Sequence, residues 1–283
     1  MDSISLSPEL KRRYEAQQEQ LPFPVRGDYV PTSYGPVWVL EAGDPDAPPL
    51  IALHGLQTPA PFNLEFFAEL TKNFRVICPD ILGQAGRTPG IAPAPVGHAY
   101  AMWVDQLMSA LKIESCPMVG LSFGGAVLLD LASYKPERID RASLVVPAGF
   151  FRPIWRPLKK IIAPFISFKI HSDFAHFGRL MKPLMDENWL ELENYFYAVF
   201  EAGIPLALVP PGPFKCEDLC DFHSPVQLIS CRDDIYFDAD KLEKHAKSAL
   251  INLTETHVFD DLHIPTAENR QKIQKEVSRF LQQ

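Results

Sequence analysis

One serine in this sequence has neighbours that suit it for nucleophilic attack. Ser122 is the centre of residues 120–124, which read Gly-Leu-Ser-Phe-Gly, and Gly125 follows. The apolar run before it reads as a buried strand, and the pattern after it reads as a helix. The serine must then occupy a tight turn, which the flanking small residues permit. Such a turn exposes the hydroxyl beside a helix N-terminus, so we predict a nucleophile; an ordinary glycine-rich connection is the alternative.

A serine nucleophile needs a histidine to accept its proton. His263 lies in residues 260–265, between the last predicted strand and the last predicted helix, where a loop side chain can reach the serine. Other histidines fit less well because they lie in a predicted insertion, inside a charged helix, in a strand or at a helix start: His171, His176, His245, His257 and His98. We therefore predict that His263 is the base.

The histidine in turn needs a carboxylate that fixes its tautomer and stabilises its charge. In open α/β sheets such groups collect beyond the carboxyl ends of the strands, and both Asp233 and Asp234 follow the predicted strand 226–230. The spacing of this loop favours Asp234. Asp233 stays the alternative, and for either residue the simpler role is a loop carboxylate that accepts backbone N–H groups.

The elements that must position these residues alternate between strand and helix. This alternation predicts a mostly parallel sheet with helices on both faces. The predicted strands are residues 27–33, 37–41, 49–53, 75–78, 116–121, 142–146, 226–230 and 254–259, and the predicted helices are 63–72, 99–111, 124–134, 239–249 and 266–281.

Two segments stand outside this alternation. Residues 149–222 contain 10 of the 19 phenylalanines at helical spacing, which predicts an inserted helical cap. Ser7, followed by Pro8 and Glu9, reads as the start of a charged helix that ends near residue 20. The predicted organisation is an N-terminal helical appendage (1–24), an α/β core (25–148 and 223–283) and the cap (149–222).

The composition excludes several classes of protein. With 283 residues, 47% hydrophobic and 22% charged, the chain reads as an ordinary globular protein. We find no apolar run near the roughly 20 residues that cross a bilayer, and residues 1–20 do not resemble a signal peptide, so we expect a cytoplasmic protein. A net charge of −8 argues against nucleic acid or an anionic membrane as a partner. We expect a monomer or homodimer.

Five cysteines without regular spacing fit reduced thiols better than a disulfide framework. Cys216, Cys220, His223 and Cys231 are close enough in sequence to be considered as zinc ligands. Their spacing matches none of the usual ligand pairs, so we predict scattered thiols and no metal or organic cofactor.

Taken together, these motifs resemble those of the α/β-hydrolase family. The resemblance covers nearly everything from Val25 onward except the cap, and rests on the strand–serine–helix turn, the chain order Ser122, Asp234, His263, and a cap after the sixth strand. It implies an eight-stranded α/β-hydrolase fold. A serine at this turn argues against haloalkane dehalogenases and epoxide hydrolases, which attack with aspartate.

The resemblance also implies an oxyanion hole. By the family's His-Gly motif, His54 and Gly55 introduce the loop after the third strand, so the backbone N–H groups of Leu56 and Phe123 would bind the oxyanion, and His54 would be structural. Two departures concern loop shape: residues 84–86 replace a tighter Gly-x-Gly, and Leu262 stands where the family often has glycine.

These residues predict a serine hydrolase that cleaves an uncharged carboxylic ester of small to medium size. Two alternatives stay open. Cleavage of a carbon–carbon bond in a diketone acid would need a cationic clamp, for which the cap offers Arg152, Arg156, Lys159 and Lys160. A non-catalytic ligand-binding member of the fold is the other.

Overall fold

The computed structural model describes residues 6–152, 158–185, 189–204 and 208–283, with residues 158–161 described by their backbone alone. Its eight strands form one sheet: β1 (Val25–Thr32), β2 (Gly35–Ala42), β3 (Pro49–Leu53), β4 (Arg75–Pro79), β5 (Cys116–Leu121), β6 (Ile139–Val145), β7 (Val226–Cys231) and β8 (Leu253–Phe259). The spatial order is β1-β2-β4-β3-β5-β6-β7-β8. Only the pairs that involve β2 are antiparallel. The predicted mostly parallel, eight-stranded sheet is confirmed.

The described helices flank this sheet. They are α1 (Pro8–Glu19), α2 (Ala60–Phe66), α3 (Ala99–Ala110), α4 (Phe123–Tyr134), α5 (Leu158–His171), α6 (Phe174–Met181), α7 (Leu190–Glu201), α8 (Ala239–Ala249) and α9 (Ala267–Leu281). Three of them, α5 to α7, lie between β6 and β7, within the predicted cap. The domain boundaries themselves stay a prediction.

The central strands are buried on both faces of the sheet. In β3, Leu50 and Ala52 point into one hydrophobic core, and Ile51 and Leu53 point into the other. The first core is shared with α2 and α9, and the second with α3, α4 and α8. This arrangement explains the continuous apolar runs in the sequence, which are typical of a parallel sheet covered on both sides.

The predicted helix 63–72 is wrong in its bounds. Helix α2 starts at Ala60, and it ends at Phe66; a short 3₁₀ helix (Ala68–Lys72) follows. Phe67, with φ −112°, leaves the helical region between them. This break allows both Phe66 and Phe67 to be buried against each other, with their ring centroids 4.8 Å apart.

Helix α1 packs into the first core. Its predicted N-cap is confirmed, because Ser7 Oγ accepts a hydrogen bond from the backbone N–H of Leu10 at 3.3 Å. Leu10 and Tyr14 are fully buried in the same hydrophobic cluster as residues of α2 and α7. The charged pattern of α1 therefore describes only its outer face.

Truncation of a buried residue in α1 tests how far this helix stabilises the fold. We expect Leu10→Ala to lower the free energy of unfolding by about 2–5 kcal/mol, because it leaves a cavity in the core. Lys11→Ala, one residue along on the exposed face, is the matched control and should change it by less than about 0.5 kcal/mol. Urea denaturation measures both; equal, small losses would mean that α1 packs only weakly.

Candidate active site

Ser122 occupies a strained turn between β5 and α4. Its backbone has φ 50° and ψ −109°, a conformation that residues other than glycine rarely adopt. Hydrogen bonds surround the turn: the Ser122 N–H donates to Val145 O at 2.9 Å, and the Ser122 carbonyl accepts from Gly125 N and from Ala148 N. The end of β6 therefore fixes the serine in this conformation.

Glycines next to this serine are required by close backbone contacts. A Cβ at Gly124 would lie 2.2 Å from Leu53 O, at the end of β3. A Cβ at Gly120 would lie 2.7 Å from Gly125 Cα. Neither contact can be relieved by rotation of a side chain, because the opposing atoms belong to the backbone. The glycine pattern in the sequence thus reflects the packing of three strand ends against the start of α4.

The structure brings the three predicted residues Ser122, His263 and Asp234 into one chain of hydrogen bonds. Ser122 Oγ lies 2.9 Å from His263 Nε2, and His263 Nδ1 lies 2.7 Å from Asp234 Oδ2. Because the carboxylate can only accept at Nδ1, the neutral ring carries its proton there and leaves Nε2 free to accept from the serine. This geometry can support general-base activation of a hydroxyl.

The two neighbouring aspartates differ in their surroundings. Asp234 is 7% exposed, and its Oδ1 accepts hydrogen bonds from the backbone N–H groups of Tyr236 and Phe237 at 2.7 and 3.1 Å. These bonds hold the carboxylate in place while Oδ2 faces His263. Asp233 is exposed, and its backbone N–H donates to Asp261 O. The geometry therefore favours Asp234.

The two predicted oxyanion donors lie on either side of the serine. Phe123 is the first residue of α4, and Leu56 lies in the turn after β3; both line the same cavity as Ser122. Gly55 brings this turn close to the serine, since a Cβ there would be 3.7 Å from Ser122 Cβ. Both backbone N–H groups are candidates for binding an oxygen that develops negative charge.

His54 is buried beneath this turn. Its Nε2 accepts a hydrogen bond from Ile81 N at 2.8 Å, and its Nδ1–H donates to Gly55 O at 2.7 Å. Burial lowers the pKa of His54 to about 4, because a charged imidazolium would lose its hydration there. His54 is therefore neutral near pH 7 and joins the loops after β3 and β4.

A cavity of about 280 Å³ lies above Ser122. Its walls are mostly apolar, with Phe66, Leu121 and Val146 from the core and, from the predicted cap, Phe177, Met181, Leu184, Trp189, Leu192 and Phe196. None of the described lining residues is Asp, Glu, Lys or Arg. The chemistry of this wall suits an uncharged ligand.

Sequence reasoning missed two features of this wall. Val146, the residue that follows β6, has φ 42° although it is β-branched, and no sequence signal marks it. In addition, the backbone N–H of Ile264 donates to Leu184 O at 2.9 Å, which joins the segment between α6 and α7 to the loop that carries His263. A backbone hydrogen bond between distant segments does not depend on the types of the two residues, so the sequence does not predict it.

Of the cationic residues considered for a carboxylate clamp, the structure describes the side chain of one, Arg152. Arg152 is exposed and does not line the cavity. Arg156 lies outside the described residues, as do the side chains of Lys159 and Lys160.

The zinc candidates are not assembled into a site. Cys216 and Cys220 are exposed, whereas Cys231 is buried at the end of β7, and all five cysteines are free. Across the described ranges, no group of three or more His, Cys, Asp or Glu side chains is arranged to hold a metal ion. Nor does any helix in those ranges have the length and apolar character needed to span a bilayer.

Comparison with known proteins defines the class. Residues 48–168 match the alpha/beta hydrolase fold family. The Bacillus subtilis (strain 168) protein named uncharacterized carboxylesterase nap is 25% identical over 282 residues, which are 95% of this chain and 92% of its own. The crystal structure of carboxylesterase CesB (YbfK) from Bacillus subtilis has a TM-score of 0.80 over 96% of each chain, at 21% identity.

A third relative carries a different activity in its name. The 2-hydroxymuconate semialdehyde hydrolase of Pseudomonas sp. (strain CF600) is 37% identical over 116 residues, which are 40% of this chain and 38% of its own. The family match over residues 48–168 and the architecture shared with the solved structure agree that this chain has the alpha/beta hydrolase fold.

The paired aspartates allow a direct test of the site. We expect Asp234→Asn to lower kcat for a p-nitrophenyl ester by up to about 10⁴, because an amide in that place favours the wrong tautomer of His263. Asp233→Asn, one residue away and exposed, is the matched control and should change kcat only slightly. Initial rates at equal protein concentration measure both; mild, equal effects would mean that the acid lies elsewhere.

Proposed function

We propose that this protein is a serine hydrolase that cleaves uncharged carboxylic esters of small to medium size through an acyl-enzyme. The observation that carries the proposal is the hydrogen-bonded chain Ser122–His263–Asp234 at the floor of an apolar cavity. A relative named as a carboxylesterase, which aligns over 95% of this chain, supports the same class of reaction.

In the first half of the reaction, Ser122 Oγ attacks the carbonyl carbon of the ester while its proton passes to His263 Nε2. The carbonyl oxygen becomes an oxyanion, and we assign the backbone N–H groups of Leu56 and Phe123, which line the cavity, as its donors. The intermediate then collapses: the bond to the alcohol oxygen breaks, and His263 gives its proton to the departing alcohol. The acyl group stays on Ser122.

In the second half, water takes the place of the alcohol. His263 accepts a proton from the water, whose oxygen attacks the acyl carbon, and the second oxyanion forms at the same backbone donors. The bond to Ser122 Oγ breaks, His263 returns its proton to the serine, and the carboxylic acid leaves. Asp234 stabilises the imidazolium in both halves, so no proton needs to reach the carboxylate.

The cavity supports an uncharged substrate. A carboxylate or ammonium group transferred into this wall would lose its hydration, and the described lining residues offer no countercharge. Volume sets a second limit, since about 280 Å³ is at the small end of the range typical of ligand pockets. Short and medium acyl chains therefore fit best.

Carbon–carbon bond cleavage in a diketone acid is the second candidate. It is favoured by the likeness to the 2-hydroxymuconate semialdehyde hydrolase, which is local. Such a substrate carries a carboxylate that needs a cation close by. Since Arg152 is exposed and away from the cavity, the described residues support the ester better.

A fluorophosphonate probe tests whether the serine reacts at all. We expect the wild-type protein to be labelled, because a serine that a histidine activates displaces fluoride from the probe and becomes phosphonylated, and Ser122→Ala to stay unlabelled. Ser143→Ala, which removes a buried hydroxyl in β6, is the control and should label like wild type. An unlabelled wild type would support the non-catalytic, ligand-binding alternative, and labelled Ser122→Ala would mean another nucleophile.

A panel of substrates tests the chemistry. We expect turnover of p-nitrophenyl acetate through hexanoate, a decline towards decanoate as the acyl chain outgrows the cavity, and no cleavage of a dienoic diketone acid. Hydrolysis is followed by p-nitrophenol release and cleavage by loss of the diketone chromophore. Rapid cleavage of the diketone acid without any ester turnover, abolished by Arg152→Ala or Arg156→Ala, would overturn the ester assignment.

The cap wall offers a test of chain-length preference. Phe196 lines the cavity, so Phe196→Ala should enlarge it. We expect kcat/KM for the decanoate ester, divided by kcat/KM for the acetate ester, to rise about tenfold. This factor corresponds to the burial of one or two further methylene groups of the acyl chain. Phe280→Ala is the control, because Phe280 is buried in α9 and does not line the cavity. The control should lower stability without changing that ratio. An equal change of the ratio in both variants would mean that Phe196 does not limit the length of the acyl chain.

A further inference from the structure

The loop after β4 departs from the family pattern at Gln84, and the structure gives this side chain a specific partner. Gln84 Oε1 accepts a hydrogen bond from the backbone N–H of Gln57 at 2.7 Å. In the opposite direction, Gln57 Oε1 accepts from the backbone N–H of Ala85 at 2.6 Å. Both glutamines are 1% exposed. Two amide side chains therefore join the loop after β3 to the loop after β4.

The segment held by this pair directly follows a candidate oxyanion donor. Gln57 has φ 57°, a left-handed conformation that is uncommon for a residue other than glycine. It is the third residue of a turn closed by Thr58 N–H donating to Gly55 O at 3.2 Å, and the second residue of that turn is Leu56. The direction of the Leu56 N–H depends on the same few backbone angles that place Gln57.

We propose that Gln84 is a positioning residue for the oxyanion hole: through its bond to the Gln57 N–H it fixes the turn that directs the Leu56 N–H at the reacting carbonyl oxygen. The inference rests on the proposed serine hydrolase function. Its chemical basis is that an oxyanion donor works by being oriented before the reaction starts. A turn with a left-handed, non-glycine residue keeps that orientation only when its surroundings hold it.

Other contacts hold the loop after β4 independently of Gln84. Ile81 N donates to His54 Nε2 at 2.8 Å, and the Tyr195 hydroxyl of α7 donates to Ala85 O at 2.8 Å. Because the loop is anchored at both sites, removal of the Gln84 acceptor should release the Leu56 turn without unfolding its surroundings. The effect should therefore appear in the transition state rather than in substrate binding.

The test replaces Gln84 by methionine, which has a similar length and shape but no strong hydrogen-bond acceptor. We expect Gln84→Met to lower kcat for p-nitrophenyl butyrate about 10- to 100-fold with little change in KM. Affinity for a trifluoromethyl ketone, whose carbonyl adds Ser122 Oγ to form a tetrahedral oxyanion as the serine proton passes to His263, should fall by the same factor.

Rescue and a matched control separate positioning from stability. Gln84→Glu restores an acceptor oxygen, since burial without a nearby cation favours the uncharged carboxylic acid. Gln84 Nε2 makes no hydrogen bond in the described part of the chain, so this variant should recover most of the lost kcat. Gln227→Met makes the same change at a fully buried glutamine in β7, where Gln227 accepts from Ser143 Oγ at 2.8 Å. It should lower Tm but leave the ketone affinity unchanged.

Each result is decisive. The inference is wrong if Gln84→Met keeps wild-type kcat and wild-type affinity for the ketone. It is also wrong if Gln84→Met and Gln227→Met lower kcat and ketone affinity by the same factor when their losses of Tm are comparable. Should Gln84→Met not fold, Gln84→Asn, which withdraws the acceptor by one methylene, replaces it with the same expectation. A wild-type protein that neither reacts with fluorophosphonate nor hydrolyses esters would refute the proposed function itself, a result distinct from failure of the Gln84 variants.

Discussion

The left-handed turn at Ser122 is the constraint on which the surrounding structure depends. A non-glycine residue at φ 50° and ψ −109° costs about 1–3 kcal/mol and persists only where packing enforces it. The enforcement comes from both neighbours of β5: β3 approaches Gly124 so closely that no side chain fits, and β6 accepts the Ser122 N–H through Val145 O. The strand order β3-β5-β6 is therefore a requirement of the turn as well as of the sheet.

Among the described residues around the cavity, the carboxylate that contacts His263 is that of Asp234. Asp234 has its two oxygens fully engaged, one by backbone N–H groups and the other by His263, so the carboxylate is stabilised although it is almost completely buried. Tyr236 and Phe237 also pack against the imidazole ring, with centroid distances of 5.1 and 5.7 Å. One loop thus supplies the carboxylate that faces His263, the N–H groups that orient it and two aromatic rings that pack against the imidazole.

The sequence predicted those parts of the molecule that depend on local pattern. Buried strands and the turn at Ser122 follow from apolar runs and glycines, and the order of Ser122, Asp234 and His263 follows from which strands precede them. What it could not predict depends on contacts between distant segments. The break of helix 63–72 at Phe67 arises from burial of two adjacent rings, and the role of Gln84 arises from a loop 27 residues away in the chain. The type of a residue alone does not indicate which distant residue it contacts.

The helices between β6 and β7 are not an independent layer over the site. Trp189, in the cavity wall, donates through Nε1 to Glu65 Oε2 at 3.0 Å, and the same oxygen accepts from Gln17 of α1 at 2.6 Å. The guanidinium of Arg270 lies 4.0 Å from the Trp189 ring and donates to Pro265 O, next to the His263 loop. Because one half-buried carboxylate, that of Glu65, joins α1, α2 and the cavity wall, the N-terminal helix is connected to the cavity through Trp189. The packing of α1 therefore bears on the cavity wall as well as on the stability of the fold.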